Sequence, residues 1–544
     1  MSKIKFLPLL AAVLSITSCD TPTEPQDYYD NSWTPGANAI EVLQPTVKNP
    51  QASLSALNKM RLSQNRLGLS SLGQSNILVV PVEFKGDKEL RELYKKSGYD
   101  IHFDTFDVND LNKAYFGTAK ENDFPSVKDY YLESSYGKCQ LNGVTTEVIT
   151  LPESFITYLL KASNIGIIEV YNEIVEYIYT YIFETTKSLY IGDFDSNDDK
   201  KVDALSIVLN YPYTFGFDET SANASLNSVI PYFLGLSNTY FEDSYVGSAY
   251  SPKVNSYSVI SDQFRQVNGP RTLVNNVGLM LGLDNYSDLT GNALTGYQRS
   301  CLGYTDMMEG AIGDHNPFSK YQLGWTTPRI YKSSNLLNDL EVELNTLSSE
   351  NSSIVLCTED NKGFGEYLIV DLYTPTGINK TNITEQGIYG STLFSEAGIR
   401  VYKVDSRLAR GINGNFINFY GETDFDDEIT LSNGSVTKYT YDYAFTNSGI
   451  NDYVASGITN NFPLVSLLSK NGINRHLVHF SFELTDDDLW HANDTFGEIE
   501  GVPGFYHGFR FNGDNGYNGD YLNIAFEVKS IEGSKATLTL KGVK

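Results

Sequence analysis

Residues 76–84 read Asn-Ile-Leu-Val-Val-Pro-Val-Glu-Phe, a continuous apolar run, rich in valine and flanked by polar residues. Its length and composition predict a strand buried on both faces. Amphipathic segments follow at 88–96 and 108–116. Ser126 then opens SVKDYYLESSY, a helix whose first hydroxyl is placed to cap it. A longer apolar periodicity over 165–188 predicts one major core helix, Ala204–Leu209 a second strand, and Thr272–Leu283 another helix. Strands and helices alternate over 75–325, which predicts a mixed α/β or α+β first domain ending near Trp325. Beyond it the runs are short and separated by Gly, Asn and Asp, as in Tyr367–Tyr373 and Ile399–Val404. Asn523–Val528 and Ala536–Leu540 flank Glu532-Gly-Ser-Lys535 and predict a terminal hairpin. The spacing of strands and turns over 326–544 fits a β-rich, sandwich-type domain. No tandem repeat is present.

The N-terminus changes the picture of where this chain works. Lys3 and Lys5 precede an apolar run over 6–16, and Ile16-Thr-Ser-Cys19 follows. A charged start, a short apolar core and a small residue before cysteine define a lipoprotein signal peptide over 1–18, with Cys19 as the lipidated first residue. The expected location is the cell envelope: exported, lipid-anchored, at the cell surface or facing a periplasm. Residues 19–74 carry Pro22, Pro25, Pro35, Pro45 and Pro50 without sustained periodicity, a tether followed by a docking segment. The formal charge is −27, and loss of Lys3 and Lys5 with the leader takes it to −29. So acidic a surface excludes nucleic acid as a partner and electrostatic adhesion to anionic lipid, leaving the lipid on Cys19 as the membrane contact. Cys139, Cys301 and Cys357 remain, so at most one disulfide forms and there is no disulfide scaffold.

The chemistry concentrates in residues 272–285, TLVNNVGLMLGLDN. This stretch resembles the zinc-binding helix of the immune inhibitor A family of secreted bacterial metallopeptidases, H-E-x-x-H-x-x-G-x-x-[DH], with Gly278, Gly282 and Leu283 at its small turn positions. Further motifs resemble the family in the same order: residues 126–137, an acidic loop at 193–203, Asp306-Met307-Met308, Gly313-Asp-His-Asn-Pro-Phe-Ser-Lys320 and Leu323-Gly-Trp325. The resemblance spans roughly 75–410. It implies an α+β fold in which a zincin-like metallopeptidase-type domain precedes the β-sandwich-type domain.

At the positions the reaction needs, the pattern fails. Asn275 stands for the first histidine, Asn276 for the catalytic glutamate, Leu279 for the second histidine and Asn285 for the third ligand. Residues four apart share one helix face, so Asn275 and Leu279 still project together. Leucine has no lone pair and an amide is a poor donor, so no zinc is expected. Asn276 cannot take a proton from water, a step worth roughly 10²- to 10⁴-fold. His315, with Asp314 beside it to orient the ring, is one histidine where three ligands are needed. Asp314, His315, Met307 and Met308 are therefore read as support beneath a cleft.

The second candidate is Asp193-Phe-Asp195-Ser-Asn197-Asp-Asp199-Lys-Lys-Val-Asp203. Oxygens at alternate positions suit calcium, while Lys200 stands where such loops turn on glycine; a solvated acidic turn is the competing reading. The aromatic, glycine-rich segment 504–513 suits ring contacts to a sugar or cross-strand packing. The chain is thus expected to be a surface-anchored pseudo-metallopeptidase that binds polypeptide or another extracellular ligand. Its rivals are an active metallopeptidase with an atypical site and a glycan-binding or adhesion lipoprotein acting through the C-terminal domain.

Overall fold

The computed structural model describes residues 69–89, 92, 106–118, 124–210, 237–241, 252–254, 256–262, 271–283, 286, 302–332, 336–357, 366–383, 394–405, 407–411, 422–430, 436–443, 451–452, 461–462, 465–470, 484–497 and 524–542. Cys19, the 19–68 part of the tether, Asn285, Cys301 and residues 504–513 lie outside them. The chain is a mixed helix-and-sheet protein that groups into two compact units, one ending at Gly282 and one running from Leu283, with Ser134–Tyr136 grouped with the second. The segment up to Trp325 therefore groups with the strands that follow it.

The first unit contains β1 (Gly73–Glu83), α1 (Val108–Phe116), α2 (Val127–Ser134) except its last residue, β2 (Cys139–Thr145), β3 (Ile149–Thr150), α3 (Phe155–Ile165) and α4 (Ile167–Tyr179). It continues with β4 (Lys201–Val202), β5 (Ala204–Leu209), β6 (Ser237–Phe241), β7 (Lys253–Val254), β8 (Ser256–Ser261) and α5 (Arg271–Met280). Its sheet has the order β2-β1-β5-β8-β6, parallel except for the antiparallel edge strand β6. A proline in a central strand removes a ladder donor. Pro81 is tolerated in β1 because β2 pairs only with Gly73–Val79 and β3 only with Val82–Glu83, so Pro81 faces the break between them. One sheet face, with Leu78, Val80, Leu205, Ile207 and Val259, packs against Phe155, Leu159, Tyr171 and Ile174 of the α3–α4 hairpin.

The helix expected over 165–188 corresponds to α4, which begins at Ile167, and to the turn that follows it. Gly166, at φ +107, a conformation side chains rarely take, separates it from α3, a helix over Phe155–Ile165 that was not expected. Ser154 caps α3 by accepting from the Thr157 amide. α4 ends at Tyr179 and runs on as a π-helical turn over Thr180–Thr185.

The second unit contains α6 (Pro317–Gln322), β9 (Arg329–Lys332), β10 (Leu340–Asn345), β11 (Ser353–Cys357), β12 (Glu366–Tyr373) and β13 (Gly398–Asp405). Then come β14 (Arg407–Gly411), β15 (Glu422–Thr430), β16 (Val436–Tyr443), β17 (Asn451–Asp452), β18 (Asn461–Phe462), β19 (Val465–Leu468), β20 (Thr495–Phe496) and the terminal hairpin β21 (Ile524–Glu532) and β22 (Lys535–Gly542). A four-stranded sheet, β10-β22-β21-β20, and a five-stranded sheet, β19-β13-β12-β11-β9, share one core. Val342, Val528 and Leu538 from the first meet Leu356, Leu368, Val370 and Val401 from the second. Alternation sends every second residue of β12 and β13 inward, and the residues between them are also buried, so the five-stranded sheet is covered on both faces.

Candidate functional site

α5 carries the positions on which zinc chemistry depends. Thr272, Leu273, Val274, Asn276, Val277, Gly278 and Met280 are buried, whereas Arg271, Asn275 and Leu279 are only half-buried. These three lie four apart, so they form one stripe along the helix. The structure therefore brings Asn275 and Leu279 together one turn apart on the accessible face and turns Asn276 inward, at 1% exposure. The helix closes with Leu281 N–H donating to Val277 O and Gly282, at φ +94, donating to Leu279 O. It is gripped from the side by the first motif: Tyr131 Oη donates to Val274 O at 2.6 Å, and Ser126 Oγ accepts from Asp129 N to cap the helix that carries Tyr131. On the sheet, Tyr115 Oη, Ser206 Oγ and Ser258 Oγ form a buried chain of hydroxyls at 2.5 and 2.9 Å. Serines inside fully buried strands, Ser206 in β5 and Ser258 in β8, were the available sign of it.

In the acidic loop, Asp195 accepts from Asp199 N and Lys200 N, Asn197 Oδ1 from Asp199 N, and Asp199 from Lys201 N. Asp203 is almost wholly buried and accepts from Asn76 N, Ser196 N and Ser196 Oγ, while Asp193 contributes its carbonyl to Asn76 Nδ2. Burial, against those hydrogen bonds, pushes the Asp203 carboxyl up to about 6, and burial also raises Asp199. Lys200 adopts φ +71, so the chain makes the left-handed turn that glycine makes in calcium loops, at the cost of strain on a lysine. Counting Asp195 as the first ligand, Asn197, Asp199, the Lys201 carbonyl and Asp203 fall at the third, fifth, seventh and ninth places. The twelfth, where a bidentate glutamate closes the sphere, is Ser206, committed inside the sheet. Among the described residues no group of three or more His, Cys, Asp or Glu side chains is disposed to hold a metal ion. The donor set fits calcium incompletely.

The remaining expected residues occupy the second unit. Asp306 caps a 3-10 turn over Met307–Glu309, accepting from Met308 N, Asn316 N and Asn316 Nδ2. Asn316 Nδ2 also donates to Tyr286 Oη, which bonds Ser319 Oγ, while Asn316 Oδ1 caps α6 ahead of Pro317. Burial, outweighing these bonds, raises the Asp306 carboxyl to about 6. Met307 and Met308 are core, each 1% exposed. Asp314 accepts from Ser134 Oγ and the His315 amide and pairs with Lys320 Nζ at 2.5 Å, and that ammonium sits 4.8 Å from the Tyr136 ring centroid. Burial works against the Lys320 charge, but Asp314 and Tyr136 raise its pKa. His315 packs beside Trp325, and burial drives its pKa down to about 3, so its ring is neutral at any ordinary pH. Asp314 therefore serves Lys320 and Ser134 rather than orienting the His315 ring.

Sequence reasoning missed the buried pair of Arg400 and Asp371, joined through Nε at 3.1 Å and Nη2 at 2.6 Å, with the guanidinium near the Tyr373 and Tyr402 rings. Cys139 and Cys357 are buried thiols in no disulfide, both with pKa raised by burial. Among the described residues no helix is long and apolar enough to cross a membrane. The sequence matches no protein-family model and no curated protein.

Proposed function

We propose that this chain is an exported, lipid-anchored pseudo-metallopeptidase, with a zincin-like first domain and a β-sandwich-type second, that binds an extracellular polypeptide without zinc-dependent hydrolysis. The half-buried face of α5 carries the proposal: it places an amide, Asn275, and an isobutyl group, Leu279, where two imidazoles would be required. Two features support it. The tyrosine-rich motif over 126–137 reaches the same helix through Tyr131, and α5 lies against β6, which among the described residues is an edge strand of the kind to which an extended peptide adds by main-chain hydrogen bonds.

The test incubates the full chain with zinc and casein, beside the variant Asn275→His, Asn276→Glu, Leu279→His, Asn285→Asp. We expect no chelator-sensitive hydrolysis and no stoichiometric zinc in the unaltered chain. Casein cleavage that a chelator abolishes overturns the proposal.

A further inference from the structure

The four-stranded sheet of the second unit ends in β10, which pairs with β22 over Leu340–Asn345 and, among the described residues, with no strand on its other side. Antiparallel pairing turns the backbone groups of successive residues to alternate sides. Thr346 N donates toward the terminal hairpin, to Ser534 O, whereas Asn345 N donates away from it, to Asn351 O, and Glu343 O accepts from Arg329 Nη2. Alternation therefore turns the N–H and C=O of Glu341 and Glu343 to the free edge and those of Val342 and Leu344 to β22. Arg329 makes an exposed contact there, to a carbonyl oxygen that has a second lone pair.

The side chains along this edge are sorted by face. Val342 and Leu344 enter the core that the two large sheets share, while Glu341 and Glu343 stand on the solvent side. Lys529 pairs with Glu341, and Lys535 with Glu343 at 3.3 Å, yet the two glutamate side chains stay 60% and 51% exposed. Apolar surface lies beside them. Leu340 is 40% exposed on the side of Val342, and Leu337 and Leu347, which flank the strand, are 73% and 79% exposed, more than any other large apolar side chain described. Uncovered leucines next to an unpaired edge are what sheet proteins ordinarily avoid.

We propose that the free edge of β10 docks an extended polypeptide segment with basic residues at alternate positions and apolar residues between them, added to the sheet as a further strand. The glutamates select the occupant. Antiparallel pairing of two copies through 341 and 343 sets glutamate against glutamate, which is unfavourable, whereas lysine or arginine opposite each makes a cross-strand ion pair. The chain's net charge of −27 attracts the same partner. The intervening apolar residues then turn to the side of Leu340, and main-chain hydrogen bonds to Glu341 and Glu343 fix the register.

The test uses the full chain and a labelled short peptide alternating lysine and valine, followed by fluorescence anisotropy. A peptide of the same composition with its lysines and valines in two blocks controls for attraction to net charge alone. The alternating peptide should bind more tightly and should protect the Glu341 and Glu343 amides from hydrogen exchange. Glu341→Gln with Glu343→Gln, both at exposed positions, should weaken it roughly two- to thirty-fold, the range for losing two opposite-charge cross-strand pairs. Glu343→Pro removes an outward N–H and no bond to β22, and should weaken binding beyond Glu343→Gln. Equal binding of the block peptide, or binding that leaves both amides unprotected, overturns the proposal. So does protection of those amides that rises with protein concentration in the absence of peptide, which would give the edge to a second copy. Neither zinc nor α5 enters the readout, so its failure is distinct from failure of the casein test.

Discussion

Asp203 makes the first unit less stable at neutral pH than in mild acid. Its carboxyl lies at about 6 in the folded chain, pushed up first by burial, against about 3.9 for an aspartate in an unfolded chain. Between those values the folded state binds more protons than the unfolded state, so stability falls as pH rises through the window. A gap of about two units at about 1.4 kcal/mol each gives a loss of about 3 kcal/mol, complete above about pH 6. The perturbation is Asp203→Asn, which removes the titration. An amide has one oxygen for three donors, Asn76 N, Ser196 N and Ser196 Oγ, so the variant also loses about 1–3 kcal/mol at every pH. Only the slope therefore diagnoses the carboxyl. Urea unfolding read by far-ultraviolet circular dichroism follows the helices of the first unit, while fluorescence of Trp325 and Trp490 reports the second. Subtracting the variant cancels the background from the other acidic groups. The stability difference between unaltered chain and variant should shrink by about 3 kcal/mol from about pH 4 to about pH 7. A difference that stays constant, or grows with pH, refutes the burial argument for Asp203.

Calcium should bind the 195–203 loop only in the weakest class, Kd about 10⁻⁴–10⁻³ M, because Ser206 supplies no bidentate carboxylate. Millimolar calcium should then stabilise the first unit by about 1 kcal/mol near pH 7, and less near pH 5, where Asp203 holds a proton; calorimetric binding in the micromolar range or tighter would show the missing twelfth ligand to be irrelevant. Tyr131→Phe removes the hydroxyl that bonds Val274 O and should cost about 1–2 kcal/mol in urea unfolding of the first unit; an unchanged midpoint would mean that α5 does not depend on this bond.

Much of the strand content was legible because burial leaves a local trace. The apolar run at 76–84, the block at 204–209 and the hairpin around Gly533 correspond to β1, β5 and β21–β22. Periodicity located α4 but not its neighbour: the apolar stretch from 165 marked the one, whereas α3, over Phe155–Ile165 and ended by Gly166 at positive φ, was not expected. The acidic loop shows the opposite case. Lys200 argued against a tight turn, and hydrogen bonds from the Asp199 and Lys200 amides to Asp195 hold the turn regardless.

What the sequence determined by itself is chemical identity: an amide at 275, an amide at 276 and an isobutyl group at 279 carry no imidazole and no base whatever the fold does with them. Which of the three reaches the accessible face was decided by tertiary packing, which buries Asn276 and leaves Asn275 and Leu279 beside Arg271. Pairings were decided there too. Asp371 and Arg400 are partners because the antiparallel register of β12 and β13 sets them opposite each other. Donor strength belongs to a residue and is written where the residue stands; register, burial and proximity belong to pairs far apart along the chain and exist only once the sheets have formed.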